Sequence, residues 1–179
     1  MKRCIALLRG INISGKNKLP MAELRDGFAA LGFADVCSHL NSGNILFSTE
    51  CTDEAALAAA IRAMVAERFA LDIPVYILEQ EKLAQLLSQA PDWWDTEDKA
   101  IYDNLIFVLP TATAEDIAAK IGEPTPELEQ IRLCGDAIFW SFDLARHSKA
   151  NWWKKTAAAG IGEHLTIRTA NTLKKLVTM

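Results

Sequence analysis

Between Arg9 and Lys18 the chain carries three cations, Arg9, Lys16 and Lys18, no acid, and two glycines, Gly10 and Gly15. Backbone N–H groups exposed in such a loop, set beside fixed positive charge, suit a phosphate or a carboxylate. Gly10 and Gly15-Lys16 also match G-x-x-x-x-G-K, the opening of a nucleotide-binding phosphate loop. The match stops at Asn17, where that loop needs a hydroxyl to hold Mg²⁺, and Pro20 delays the helix that should follow at once. A nucleoside triphosphatase is therefore set aside. A simpler anion site is left, built from Arg9, Gly10, Asn12, Gly15, Lys16 and Asn17, against the plain alternative of a charged connecting loop with no ligand.

Two further segments offer polar groups. Asn41-Ser42-Gly43-Asn44 is first a turn signal, because Asn and Gly accept left-handed backbone; Ser42 and Asn44 are its candidate ligands. His39 stands near Ser42, but no acid fixes its ring, so no nucleophile is assigned. Towards the other end, Arg168 offers planar donors for a carboxylate or phosphate, with Asn171 close behind it. Its structural alternative is a salt bridge to one of the chain's many acids. Thr169 is placed to cap the helix that follows.

Other reactive residue types give less. Cys4, Cys37, Cys51 and Cys134 lie far apart and read as reduced thiols. Cys37 and His39 would share one face of a strand, but two ligands fall short of the four that structural zinc takes, so no metal is expected. No cofactor fingerprint is complete, and none is expected. Four of the five tryptophans occur as pairs, Trp93-Trp94 and Trp152-Trp153. Helix neighbours diverge by about 100°, so only one of Trp152 and Trp153 can point fully inward. The other can cover a loop or offer a stacking surface beside Lys154 and Lys155.

The elements that must position these groups follow from periodicity. Residues 3–8 form a short apolar strand, and Pro20 opens a helix with Met21, Leu24, Phe28 and Leu31 on one face. Val36–Leu40 and Ile45–Phe47 flank the Asn41–Asn44 turn as a hairpin. A helix through Leu57, Ile61, Val65 and Phe69, capped by Thr52 or Asp53, leads to a strand at Ile73–Leu78, whose Pro74 belongs at a strand start or sheet edge. The order is βαββαβ. It recurs as a strand at 104–109, a helix capped by Thr113, a hairpin about Gly135-Asp136, a helix over 148–159 and a strand at 165–167, with a last helix over 170–177. The expected fold is α+β, two tandem ferredoxin-like βαββαβ halves with an extra C-terminal helix. The first half spans 1–80, a connecting helix and loop 81–103, and the second half 104–179.

Half of the 179 residues are hydrophobic and 23% are charged, as in an ordinary folded protein. No apolar run approaches the roughly 20 residues of a membrane helix, and the N-terminus lacks an apolar leader, so no membrane partner and a cytoplasmic address are expected. Residues 1–18 hold five cations and no acid, and residues 146–179 hold seven cations against Glu163; the stretch between carries 22 of the 23 acids. If the ends meet, one face of an acidic protein is basic.

Together the segments resemble a bacterial family known only as domain of unknown function 1697. The resemblance rests on Leu7-Leu8-Arg9-Gly10-Ile11-Asn12, Gly15-Lys16-Asn17, Met21 with Leu24, and Ser42-Gly43-Asn44 with Phe47. Arg168, Asn171, Thr172, Lys175 and Leu176 fit the closing motif. Ser14 stands where a glycine is common, and Thr169-Ala170 replaces a usual Asn-Trp pair, so no role for that aromatic ring carries over. The resemblance implies a ferredoxin-like arrangement and no activity. The sequence thus points to a binding protein for a small anionic or phosphorylated ligand at the basic loop. The alternatives are a nucleic-acid-binding protein, which the −4 net charge disfavours, and an enzyme of unassigned reaction class; the oligomeric state is open.

Overall fold

A computed structural model describes all residues, Met1–Met179. The strands are β1 (Lys2–Leu8), β2 (Ala34–His39), β3 (Asn44–Thr49), β4 (Val75–Glu79), β5 (Ile101–Val108), β6 (Glu129–Cys134), β7 (Ala137–Asp143) and β8 (Leu165–Thr169). The helices are α1 (Met21–Ala30), α2 (Glu54–Phe69), α3 (Gln80–Leu87), α4 (Ala114–Ile121), α5 (Asn151–Thr156) and α6 (Ala170–Val177). Two four-stranded antiparallel sheets result, in the orders β2-β3-β1-β4 and β6-β7-β5-β8. This is the α+β arrangement of two tandem βαββαβ halves that the element order implied. Two compact units can be drawn, Met1–Gln85 with Lys174–Met179, and Leu86–Leu173. No helix is long and apolar enough to cross a membrane.

In the first unit, Ala6 and Leu8 of β1 and Ile45 and Phe47 of β3 bury against Leu24 and Phe28 of α1 and Leu57, Ile61 and Val65 of α2. The rings of Phe28 and Phe47 meet edge-on at 5.5 Å. Strand alternation sends Ile5, Leu7 and Leu46 to the opposite face, where they are buried as well. In the second unit Ile106, Val108, Ile138 and Trp140 pack with Ile117 and Ile121 of α4 and Trp152 of α5. Leu105, Phe107 and Phe139 occupy the other face, and Trp94 lies edge-on to Phe139 at 5.1 Å while donating its indole N–H to the Asn104 carbonyl. The central strands of each sheet, β1 and β3 in one and β5 and β7 in the other, are therefore largely buried on both faces.

Local chemistry sets the boundaries. Asp53 caps α2 by accepting from the Ala56 N–H, and the Thr113 hydroxyl caps α4 by accepting from Asp116. Pro74 precedes β4, which is an edge strand, so its missing N–H costs no ladder bond. The helix expected over 148–159 is shorter. A 3₁₀ turn at His147–Lys149 precedes α5, and no cap side chain exists at Ala150. The buried Glu129 carboxylate takes over, accepting from the Trp152 N–H (2.9 Å), the Thr125 N–H (2.9 Å) and the Trp140 indole (3.3 Å).

The two halves repeat more closely than their element names suggest. The Leu8 N–H bonds to the Gly43 carbonyl and the Arg9 N–H to that of Pro74. In the second half Val108 bonds likewise to Asp136, and Leu109 to His164. Each half then ends in a five-residue strand running directly into an eight-residue helix, β4 into α3 and β8 into α6. The repeating unit is βαββαβα, so α6 has a counterpart in α3.

Candidate functional site: the first loop and its clamp

The segment between β1 and α1 is a small hairpin. Ile13 and Lys16 bridge, with the Lys16 N–H donating to Ile13 O at 2.9 Å, and Asn12 N–H donates to Asn17 O at 3.1 Å. Ser14 and Gly15 form the tip with φ of 51° and 74°, the positive pair that a type I′ turn requires. Ser14 therefore stands where glycine is least strained, and Asn12 (53°) and Asn17 (46°) use the tolerance of asparagine for the left-handed region.

Both asparagines work inside the loop. Asn12 Oδ1 accepts from the Leu19 N–H (2.8 Å), while its Nδ2 donates to Leu19 O (2.8 Å) and Asn41 O (2.9 Å). One amide thus pins the returning chain and ties it to the β2–β3 turn. Asn17 Nδ2 closes the hairpin base on Gly10 O at 2.9 Å. On the turn, Asn44 is fully buried and its Nδ2 donates to His39 O (3.0 Å) and Ser42 Oγ (3.2 Å). Gly43 lies against the end of β1, where a Cβ would meet Leu8 Cβ at 2.8 Å and Leu8 O at 2.9 Å. The Arg9–Asn12, Gly15–Asn17 and Ser42–Asn44 motifs therefore form one hydrogen-bonded clamp. The sequence placed the loop and the turn separately; the groups that join them are the backbone carbonyls of Asn41 and Leu19, which no side-chain pattern marks as partners of Asn12.

The clamp leaves charge outside. Lys16 and Lys18 are exposed and make no ion pair, while Arg9 is half-buried. Beside the loop lies an open depression of ≈ 370 Å³, lined by Asn12, Gly15, Lys18, Leu19, Pro20, Met21 and Asn41. Its lining combines apolar residues, Leu19, Pro20 and Met21, with one cation, Lys18.

Arg168 and Asn171 belong to the second unit. Arg168 is buried on β8, where its Nη1 donates to Thr166 Oγ1 (3.0 Å) and Ile167 O (2.8 Å). Burial pushes its pKa down to about 10, so it stays charged at neutral pH. Asn171 is exposed in the first turn of α6, whose Thr169 hydroxyl accepts from Thr172 N–H at 3.3 Å. It lines a depression of ≈ 340 Å³ with Asp95, Glu97, Asp98 and Asp103, surroundings that repel an anion. No cluster of three or more metal-ligating side chains exists.

A tandem pair of βαββαβα units, the first of which carries a loop-and-turn clamp built from the Arg9–Asn12, Gly15–Asn17 and Ser42–Asn44 motifs, defines the class. The chain belongs to the family described as "Protein of unknown function (DUF1697)", which it matches over residues 1–139. It is similar to the solved structure of conserved bacterial protein SP0830 from Streptococcus pneumoniae, with 30% identity and a TM-score of 0.85 over 99% of this chain and 97% of that one. No curated protein matches it.

Proposed function

We propose that the protein is a cytoplasmic binding protein for a small anionic or phosphorylated ligand, held at the first loop. The observation that carries this reading is the pair of exposed, unpaired ammonium groups, Lys16 and Lys18, on a loop fixed by the Asn12 and Asn17 amides. A rigid loop loses little conformational freedom when it binds, so its charges act at small ordering cost. Lys18 takes the anionic group, and apolar Leu19, Pro20 and Met21 take the apolar body of the ligand. The reading assigns no reaction.

Thermal unfolding with inorganic phosphate and with pyrophosphate tests it, against chloride at matched ionic strength. The expected result is a saturable rise in Tm with the phosphates alone, equivalent to about 2.7 kcal/mol at a ligand concentration of about 100 Kd. The double variant Lys16→Ala, Lys18→Ala should lose the rise while keeping its ligand-free Tm. An equal rise in that variant, or none in the parent, rejects the site.

A further inference from the structure

Each four-stranded sheet has two edges, and three of the four are closed to a further strand. On β2 the register shifts between Ala34 and Cys37, with Asp35 at a φ of 50°, and such a bulge breaks the row of outward groups. On β4 the outward residues Val75 and Ile77 are buried. On β8 the Arg168 guanidinium donates to the outward carbonyl of Ile167 at 2.8 Å. The fourth edge, β6, is six residues long, keeps an unbroken register with β7 and contains no proline.

The ladder fixes the direction of the β6 groups. Asp143 N–H donates to Leu128 O at 2.8 Å, so Leu128, Gln130, Arg132 and Cys134 turn their backbone towards β7, and the residues between turn it outward. Of that outward set, Glu129 gives its N–H to Thr125 O at 3.2 Å. Ile131 and Leu133 each keep an N–H and a carbonyl with no bond inside the chain. Their side chains are half-buried against the core of the second unit, and one more strand would complete their cover. Arg132, paired across the sheet with Phe139, projects from the opposite face, exposed and in no ion pair.

These groups define what the edge takes. An antiparallel strand would satisfy Ile131 and Leu133 by exchanging both bonds with the residue opposite each. The residue between would then face Arg132 in a non-hydrogen-bonded pair, where side chains approach most closely. The requirement is apolar, acidic, apolar. A second copy of β6 does not meet it. Two-fold pairing of Ile131 with Leu133 satisfies every outward group but sets Arg132 against its own equivalent. Pairing Ile131 with Ile131 avoids that, but leaves the Leu133 carbonyl facing Glu129, whose N–H Thr125 already holds.

We infer that β6 is a docking edge for an extended segment of another protein, one that carries an acidic residue between two apolar ones and adds antiparallel to the sheet. Amide hydrogen exchange of the full chain tests this, using end-capped peptides of about seven residues with Val-Glu-Val or Val-Lys-Val at the centre. The Val-Glu-Val peptide should slow exchange at Ile131 and Leu133 by about tenfold at a concentration of about ten Kd. It should bind about fivefold more tightly than the Val-Lys-Val peptide, and Arg132→Glu, at an exposed position, should reverse that order. No saturable binding up to about 1 mM overturns the inference. So does binding that leaves the two amides unprotected, or that ignores the charge at Arg132. Protection of both amides without peptide, in a chain that sediments as a dimer, overturns it too and gives the edge to a second copy. None of these outcomes depends on phosphate binding at the first loop.

Discussion

Gly43 and Gly15 show how one residue type can answer two demands. Both have positive φ, 82° and 74°, but only Gly43 has backbone in the space a Cβ would fill; nothing lies within 4 Å of Gly15. Gly15→Ala should cost about 1 kcal/mol, the strain of a left-handed alanine. Gly43→Ala should cost about 3 kcal/mol or more, because Leu8 and the β1 end must also move. Urea unfolding of the two variants checks the contrast, and equal losses would mean that the close approach at Leu8 carries no weight. At this scale the sequence was half legible. The turn chemistry of Asn41–Asn44 could be read directly, since it depends on adjacent residue types. The work of Asn12 could not, because its partners Leu19 and Asn41 are backbone groups 7 and 29 positions away. Residue type alone presents Asn12 equally well as ligand or brace.

Between β7 and α5 the chain is turned by a single carboxylate. Asp143 accepts from the Arg146 backbone N–H (2.9 Å) and from its guanidinium (2.8 and 3.0 Å), and the side-chain bond to Arg146, then the backbone one, holds its pKa below the ordinary carboxylate value. A depressed carboxyl stabilises the fold above its unfolded pKa, and that contribution disappears as pH falls through the folded value. Asp143→Asn should therefore lower stability at neutral pH and lessen the fall below about pH 4. Denaturant titrations over an acidic pH series measure this; parallel profiles for variant and parent would remove Asp143 from the account. The helix after this turn is also where sequence and structure part. Ser148 to Ala159 reads as continuous helix, yet α5 begins only at Asn151, where Glu129 on a distant strand receives the Trp152 N–H. A cap supplied across 23 residues leaves no local trace.

For the whole molecule, element order was the legible part: alternating and helical periods gave both βαββαβ halves, because each element buries a face and shows it in sequence. The identity of α3 and α6 as equivalent parts was not legible, since their residues differ and only the matching strand-to-helix joints expose the repeat. The last six residues, Lys174–Met179, count with the first unit, where Gln80 Nε2 donates to Leu176 O at 2.7 Å. Leu176 is fully buried, so Leu176→Ala should cost about 2–4 kcal/mol, whereas exposed Lys175→Ala should change stability by less than about 0.5 kcal/mol. Chemical unfolding decides; similar values for the two would show that the chain end adds nothing to the fold. The joints before these helices have a further consequence. Glu79 passes to Gln80, and Thr169 to Ala170, with no loop residue between strand and helix. One inserted residue would rotate everything after it by about 100° and carry Leu83, or Leu173 and Leu176, out of phase with the side chains they meet. Length can drift in the loops of this chain, but at these two joints the reading frame of the fold is fixed.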